Sequence, residues 1–164
     1  SGDSLIEDAT IESMKTKLFP LATIITPNLK ETSILLQRPI KNVEQMKEAA
    51  NKLLMYGNQS VLIKGGHLEQ DDIIDVLKLK TENQIYTFEA KWIASKNTHG
   101  TGCTLSSAIA TYLALGNTVI EAVNLAKQYV YQAILHGKDI TIGHGHGPLN
   151  HGFNPQQLKI ITKK

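Results

Sequence analysis

Residues 22–64 alternate between short apolar runs and helical patterns, and this alternation constrains the fold more than any other feature. Residues 22–25 (Ala-Thr-Ile-Ile) form a β-branched run closed by Pro27, and residues 60–64 (Ser-Val-Leu-Ile-Lys) form a second apolar run. Both runs predict buried strands. Because helical patterns lie between them, the order of elements predicts an α/β protein with a parallel sheet.

Three segments share a capping-box pattern, in which Asn or Thr is followed three residues later by Glu or Gln. They are Asn28 with Glu31, Asn42 with Gln45, and Thr118 with Glu121. Each pattern predicts the start of a helix, because the first side chain accepts a hydrogen bond from the backbone of the third residue. The predicted inner face of the last helix comprises Ala122, Leu125, Ala126, Tyr129, Ala133 and Ile134.

The remaining elements follow from periodicity and turn residues. Helices are predicted over residues 7–18 and 104–115, the latter ending at Gly116. Residues 73–80 and 85–92 flank a polar spacer of hairpin length and predict an antiparallel pair of strands. The Gly-rich tail over residues 143–151 predicts a loop.

Composition restricts the class of protein. The chain has 164 residues, 41% of them hydrophobic, and a net charge of +2 with Arg38 as its one arginine and no basic run. One compact domain is therefore expected, without a nucleic-acid partner or a membrane span. The single cysteine, Cys103, cannot form an internal disulfide, which favours the cytoplasm.

The strongest chemical signal is the loop over residues 97–104, Asn-Thr-His-Gly-Thr-Gly-Cys-Thr, immediately before an apolar helix. Gly100, Thr101 and Gly102 could direct backbone N–H groups at one anion, and the helix dipole would add positive potential. Cys103 would lie in the first turn, where the dipole favours a thiolate that could act as a base. The alternatives are glycines that only turn the chain and a cysteine that packs as a small apolar residue.

Oxygen ligands and lysines complete the candidate site. Asn28 and Glu31 follow a strand end, where open α/β sheets place ligands, and their side-chain oxygens could hold a hydrated Mg²⁺. Lys64, also at a strand end, and Lys127, beside the apolar stripe of the last helix, could reach phosphate oxygens. The structural alternatives are a plain helix cap for Asn28 and Glu31, a solvated side chain for Lys64, and a side chain that lies along apolar surface for Lys127. His144, His146 and His151 lack acidic or cysteine partners, so a covering loop is favoured there over a metal site.

Four segments together resemble a known family. They are residues 26–31 (Thr-Pro-Asn-Leu-Lys-Glu), 61–67 (Val-Leu-Ile-Lys-Gly-Gly-His), 97–108 with its Gly-Thr-Gly-Cys loop, and 143–151 (Gly-His-Gly-His-Gly-Pro-Leu-Asn-His). In this order they resemble the hydroxymethylpyrimidine and phosphomethylpyrimidine kinases of thiamine biosynthesis. The resemblance implies a ribokinase-like fold, a three-layer α/β sheet with helices on both faces.

The resemblance also implies roles for individual residues. Gly100, Thr101 and Gly102 would form an anion hole, with Cys103 as the group nearest the accepting hydroxyl. Asn28 and Glu31 would organise Mg²⁺ and the triphosphate of ATP through water. Lys64 and Lys127 would contact phosphates or neutralise charge on the transferring group. A pyridoxal or pyridoxine kinase on the same scaffold and a truncated, non-catalytic nucleotide-binding module are the alternatives.

Family members carry a substantial N-terminal portion before the segment that resembles Ser1-Gly2-Asp3. The resemblance therefore implies that residues 1–164 are the C-terminal ATP- and phosphate-binding portion of a single ribokinase-like domain, without its first strands and without most of the pyrimidine pocket. Exposed sheet edge and apolar surface would favour homo-oligomers or association with a complementary chain.

Overall fold

A computed structural model describes residues 8–66 and 72–157 of the chain. Ser1–Asp3 and His67, which belong to segments used for the family resemblance, lie outside the described residues. The chain divides into two compact units, residues 1–92 and residues 93–164. None of the helices in the described ranges is long and apolar enough to cross a membrane. The prediction of a single domain stays a prediction.

The first unit begins with helical turns and continues with two α-helices and three strands. Its elements are α1 (Asp8–Ser13), a π-helical turn (Met14–Leu18), a 3₁₀ turn (Phe19–Leu21), α2 (Leu29–Leu36), α3 (Val43–Leu54), β1 (Ser60–Ile63), β2 (Asp72–Leu79) and β3 (Ile85–Lys91). The predicted capping box of Asn28 and Glu31 is confirmed at the start of α2. Asn42 likewise caps α3 by accepting a hydrogen bond from the backbone N–H of Gln45.

The three strands form one sheet in the order β1-β2-β3, and each neighbouring pair is antiparallel. The predicted hairpin of β2 and β3 is therefore confirmed. The predicted parallel pairing is present beside β1, where Ile25 pairs with Val61 and Asn28 pairs with Lys64 in parallel bridges. Between β1 and β2 it is wrong, because residues 64–71 are too few for the crossover that a parallel pair requires. The strand predicted at residues 22–25 is reduced to the bridge at Ile25.

Helix α3 covers the sheet with one apolar face. Met46, Ala49, Ala50 and Leu53 are fully buried on this face, in one cluster with residues of β1 and β2. Their spacing of three and four residues places them on one side of the helix. Burial of each large apolar side chain stabilises the fold by about 1.5–3 kcal/mol. This cluster holds β1, and with it Lys64 at the end of β1, in a fixed position.

The second unit contains two long helices, α4 (Thr101–Ala114) and α5 (Val119–Gly137). Helix α4 starts three residues earlier than predicted, so Cys103 lies within its first turn. The inner face of α5 is only partly as predicted, because Leu125, Tyr129 and Ile134 are half-buried. The buried residues of α5 are Ala122, Val123, Ala126, Val130, Ala133 and Gly137. Relative to the predicted inner face, the buried face of α5 is thus rotated toward Val123 and Val130.

The end of α5 packs closely against the Gly-rich tail. A Cβ at Gly137 would lie 2.9 Å from the backbone nitrogen of Asn150, so only glycine fits here without a shift. That nitrogen donates a hydrogen bond to the carbonyl of Ala133 at 3.0 Å. As predicted, residues 143–151 form no helix. After α5 ends, the chain therefore runs back alongside the last turns of this helix.

The capping box at the start of α5 is expected to lose strength in acid. Hydrogen bonds from the backbone N–H of Thr118, at 2.9 Å, and from its hydroxyl, at 2.8 Å, hold the pKa of Glu121 below its usual value of 4.5. Because the pKa of Glu121 is lower in the folded state than in the unfolded state, the capping box stabilises the fold fully above the unfolded-state pKa. This stabilisation is lost as pH falls through the folded-state pKa. The melting temperatures of wild type and of Glu121→Gln should therefore converge as pH falls below 4.5. A difference that stays constant with pH would contradict this expectation, and Glu89→Gln, at an exposed position outside the box, is the control.

Candidate phosphate and nucleotide site

In the first unit, the end of β1 lies beside the start of α2. The backbone N–H of Lys64 donates to the carbonyl of Pro27 at 2.9 Å, and this contact continues the parallel pairing to Asn28. The Asn28 side-chain oxygen accepts from the backbone N–H of Glu31 at 2.8 Å, and the Glu31 carboxylate accepts from the backbone N–H of Asn28 at 2.7 Å. Asn28, Glu31 and Lys64, which sequence reasoning placed at two strand ends, are thus neighbours in the fold.

The Lys64 ammonium lies between a carbonyl and a carboxylate. It donates a hydrogen bond to the carbonyl of Thr26 and lies 4.0 Å from the nearer carboxylate oxygen of Glu31. The Lys64 side chain is 22% exposed, whereas that of Glu31 is 56% exposed. Because the Lys64 side chain is mostly buried already, its ammonium can exchange the exposed Glu31 carboxylate for an incoming anion. This exchange does not require a solvated charge to be buried.

Asn28 and Glu31 fit a hydrated magnesium ion better than a fully protein-bound one. One oxygen of each side chain already accepts a backbone hydrogen bond in the capping box. Within the described ranges, no three His, Cys, Asp or Glu side chains group together in a way that could hold a metal. Mg²⁺ commonly keeps several waters and takes its remaining ligands from one or two carboxylates and from phosphates. The exposed Glu31 carboxylate suits contact through such a water.

In the second unit, α4 begins without a side-chain cap. Its N-cap is Gly100, in the left-handed conformation with φ +84° and with no side chain to accept from the first-turn N–H groups. Helices α2, α3 and α5 all have an Asn or Thr side chain in this role. The Thr101 hydroxyl instead donates to the carbonyl of Thr98 at 2.7 Å. The backbone N–H of Thr101 also donates to the carbonyl of Thr98, at 3.3 Å. No side-chain cap competes for the remaining first-turn N–H groups, which lie at the positive end of the helix dipole, an arrangement that favours an anion.

Cys103 lies at one end of an open cleft in the second unit. The thiol is exposed, so the alternative of a buried, inert cysteine is not what the structure has. The cleft has a volume of about 500 Å³. Its lining includes Cys103, Thr104, Ser107, Thr111, Tyr129 and His151. A nucleophilic or basic thiolate requires access of this kind.

The histidine-rich tail closes back on the same helices. The ring nitrogen Nε2 of His151 lies 2.9 Å from the Thr104 hydroxyl, and the His151 carbonyl accepts from the Tyr129 hydroxyl at 3.0 Å. His144 and His146 are exposed. The tail is thus held by hydrogen bonds at its last histidine, as a covering loop would be, and it gathers no metal-binding group within the described ranges.

Sequence reasoning singled out no role for Asn97, which fixes the loop before α4. Its buried side-chain amide donates to the carbonyls of Gly137 and Ile140, both at 2.6 Å. A Cβ at Gly147 would lie 2.0 Å from the Asn97 side-chain oxygen. Asn97 is the first residue of the motif that carries the family resemblance, so the sequence did mark this position. Its hydrogen-bond partners are some 40 residues away in sequence, and local patterns therefore did not reveal its role. Lys127 lies half-buried on α5, and its role toward phosphate stays a prediction.

In the first unit the lysine–carboxylate pair at a strand end, and in the second unit the helix that starts at Gly100 without a side-chain cap, are each arrangements that suit a phosphate group. Comparison with known proteins identifies the family. Residues 1–150 match the family described as phosphomethylpyrimidine kinase. This chain therefore belongs to the phosphomethylpyrimidine kinase family.

Relatives of established name are similar in sequence and longer. The chain is 45% identical over 150 residues to the thiamine biosynthesis bifunctional protein of Geobacter sulfurreducens, covering 92% of this chain and 30% of that protein. It is 41% identical over 152 residues to the hydroxymethylpyrimidine/phosphomethylpyrimidine kinase of Streptomyces coelicolor, covering 93% of this chain and 55% of that protein. The chain thus spans about half the length of the Streptomyces coelicolor kinase and less than a third of the Geobacter sulfurreducens protein.

Solved structures support the same fold. The pyridoxal kinase of Staphylococcus aureus in complex with AMP-PCP superposes with a TM-score of 0.83 at 35% identity, over 92% of this chain and 54% of that one. The fold class is therefore ribokinase-like α/β, as the resemblance implied. AMP-PCP, which this structural neighbour binds, is an ATP analogue.

Proposed function

We propose that this chain is the ATP- and phosphate-binding portion of a kinase that phosphorylates 4-amino-5-hydroxymethyl-2-methylpyrimidine, its monophosphate, or both. The observation that carries the proposal is the α4 start, where Gly100 replaces a side-chain cap and leaves first-turn N–H donors for an anion. In this role Gly100, Thr101 and Gly102 bind the transferring phosphoryl group. Positioning and charge stabilisation are most of what phosphoryl transfer requires from a protein.

The first unit has its own candidate groups for phosphate charge. Asn28 and Glu31 would hold Mg²⁺ through its waters, and the ion would supply neutralisation of phosphate oxygens. Lys64, whose ammonium lies 4.0 Å from Glu31, would contact a phosphate oxygen or neutralise charge on the transferring group. Lys127 of the second unit adds a further positive charge on the transferring group.

The reaction itself is a displacement at the γ-phosphorus of ATP. The acceptor oxygen forms a bond to this phosphorus while the bond to the β–γ bridging oxygen breaks, and ADP leaves with that electron pair. When the acceptor is an alcohol, its proton passes to the Cys103 thiolate. When the acceptor is a phosphate monoester, it is largely ionised near neutral pH and needs little help from a base. The exposed Cys103 thiol can therefore serve both the phosphorylation of the alcohol and the phosphorylation of its monophosphate.

Nucleotide binding is tested by thermal unfolding. Mg-ATP is expected to raise the melting temperature of the chain, because a ligand that binds only the folded state stabilises it by mass action. ATP in excess EDTA is the control for the role of Mg²⁺, and GTP is the control for the base. The absence of any shift with Mg-ATP, both alone and with the complementary part of a relative, would contradict the proposal.

Measurement of enzymatic turnover distinguishes the proposed function from two alternative functions. Pyridoxal or pyridoxine kinase activity is favoured by the structural match to a pyridoxal kinase. ADP release is measured with hydroxymethylpyrimidine, with its monophosphate and with pyridoxal, after the chain is combined with the part of the Streptomyces coelicolor kinase that it does not span. Release with pyridoxal alone supports the pyridoxal alternative. Binding of ATP without turnover of any acceptor supports a non-catalytic nucleotide-binding module.

The proposal extends to partners and location. We propose a complementary chain or a second copy of this chain as its partner. The cytoplasm, where ATP is available and a free Cys103 stays reduced, is the expected location.

A further inference from the structure

The loop before α4 is anchored through one buried side chain. Asn97 is 5% exposed, and its amide nitrogen donates to the carbonyls of Gly137 and Ile140, both at 2.6 Å. Gly137 is the last residue of α5, and the final carbonyls of a helix have no partner within it. The Asn97 amide therefore caps the end of α5 from the loop that leads into α4.

The oxygen of the same side chain faces the Gly-rich tail. A Cβ at Gly147 would lie 2.0 Å from this oxygen, so an alanine there fits only if one of the two residues moves. Two residues after Asn97, the backbone N–H of His99 donates to the carbonyl of Gly147 at 3.1 Å. His99 also pairs with Pro148 in a parallel bridge. Asn97 thus joins three segments of the second unit, which are the loop before α4, the end of α5 and the tail.

Short backbone contacts connect Asn97 to the first turn of α4. Asn97 lies four positions before Thr101, the first residue of the helix. The carbonyl of Thr98 accepts from the backbone N–H and from the hydroxyl of Thr101, at 3.3 and 2.7 Å. Gly100 turns the chain with φ +84°, and its carbonyl accepts the first helical hydrogen bond, from the N–H of Thr104 at 2.8 Å. A shift of Asn97 is therefore passed on to the N–H groups of the first turn.

We propose that Asn97 is a positioning residue for the anion site at the start of α4. Its side chain holds the loop against the end of α5 and against the tail, and so fixes the direction in which the N–H groups after Gly100 point. An anion gains most from these groups when they converge on it. Loss of the Asn97 side chain therefore weakens anion binding even where α4 itself stays folded. The inference rests on the proposed function, because it takes the α4 start as the binding site of the transferring phosphoryl group.

The alkylation of Cys103 by a charged and by a neutral reagent tests the inference without nucleotide or acceptor. Iodoacetate is an anion and iodoacetamide is neutral, and both react with the thiolate, so the ratio of their rates does not depend on the thiolate fraction. The ratio reports how strongly the α4 start attracts an anion. In the folded wild-type chain it should exceed the ratio in urea by about threefold, the size of a helix-terminus effect on one charge. In Asn97→Ala the folded chain should come within about 1.5-fold of the urea value, because most of this effect is lost.

Two glycines of the tail provide a matched pair of variants. Gly147→Ala displaces the Asn97 side chain without removing it, so it should lower the ratio as Asn97→Ala does. At Gly145 a Cβ would meet none of the described atoms within 4 Å, so Gly145→Ala should keep the wild-type ratio. Ile109→Val, at a buried position of α4 in the same unit, controls for a loss of stability alone and should also keep the wild-type ratio.

The possible results separate this inference from the proposed function. A lower ratio in Asn97→Ala, at the helix content of wild type by circular dichroism, supports the inference. A raised wild-type ratio that Asn97→Ala and Gly147→Ala both leave unchanged overturns the role of Asn97 and leaves the proposed anion site unaffected. A wild-type ratio equal to the urea value overturns both, because the α4 start then attracts no anion.

A loss of stability is distinguished from a loss of position by the same measurements. An equal fall of the ratio in Ile109→Val and in Asn97→Ala overturns the inference, because lost stability then accounts for the effect. If Asn97→Ala does not fold, Asn97→Ser, which keeps a shorter hydrogen-bond donor, takes its place beside Gly147→Ala. A wild-type ratio in both of these variants overturns the inference, and a lowered ratio in both supports it.

Discussion

Replacement of Gly65 by alanine is expected to lower the free energy of unfolding by more than about 3 kcal/mol, beyond the usual cost of overpacking. Gly65 follows Lys64 at the end of β1 and is buried. A Cβ at this position would lie 1.9 Å from the carbonyl oxygen of Ile74 and 3.2 Å from the Met46 methyl. The first of these contacts is with the backbone of β2, which cannot rotate away as a side chain can.

The same displacement would break a buried hydrogen bond. The backbone N–H of Gly65 donates to the Asp75 carboxylate at 2.9 Å, and Asp75 is 5% exposed. Moving Gly65 away from β2 weakens this bond and leaves a buried charge less well solvated, which adds to the steric cost. Because Lys64 precedes Gly65, its position should change as well.

Gly66→Ala is the matched control, one residue further along. Among the residues that the structure describes, a Cβ there would meet only the Ile73 side chain, at 4.0 Å, which is an ordinary van der Waals contact. Urea unfolding followed by circular dichroism should give a variant close to wild type at Gly66 and a strongly destabilised one at Gly65. Similar midpoints for both variants would refute the steric account.

The elements that sequence predicted best depend on contacts within four residues. Asn28 with Glu31 and Thr118 with Glu121 close their capping boxes as expected, because donor and acceptor belong to the same first turn. Strand pairing depends on distant partners, and the antiparallel pairing of β1 with β2 was missed for that reason. The steric role of Gly65 was missed similarly, since its close neighbour Ile74 lies on another strand.

The candidate site shows the same division between local and distant contacts. The proximity of Asn28 to Lys64 was predictable, because both follow adjacent strand segments at one edge of the sheet. The hydrogen bond between Thr104 and His151 spans 47 residues, and periodicity carries no information on such a pair. Sequence therefore placed the candidate residues Asn28 and Lys64 together but did not predict the contacts that fix the tail near Cys103.

Glu31→Gln is expected to weaken Mg-ATP binding by about 10–100-fold, the usual effect of removing a group that holds a metal through an outer contact. The substitution separates two roles of this residue. Glutamine at the third helical position can still accept the hydrogen bond from the Asn28 backbone, so the capping box survives. The negative charge that attracts hydrated Mg²⁺ and that faces Lys64 at 4.0 Å is lost.

Stability without nucleotide should therefore stay within about 0.5 kcal/mol of wild type, as for most surface substitutions. Isothermal titration with Mg-ATP measures the affinity, and thermal unfolding measures the stability of the same samples. Glu121→Gln is the matched control, because it makes the same change in the second closed capping box, where no phosphate role is proposed. Glu31→Ala removes both the charge and the capping bond, so it should lose affinity and stability together. If Glu31→Gln binds Mg-ATP like wild type while Glu31→Ala is destabilised, Glu31 is a helix cap alone and the proposed contact with Mg²⁺ is wrong.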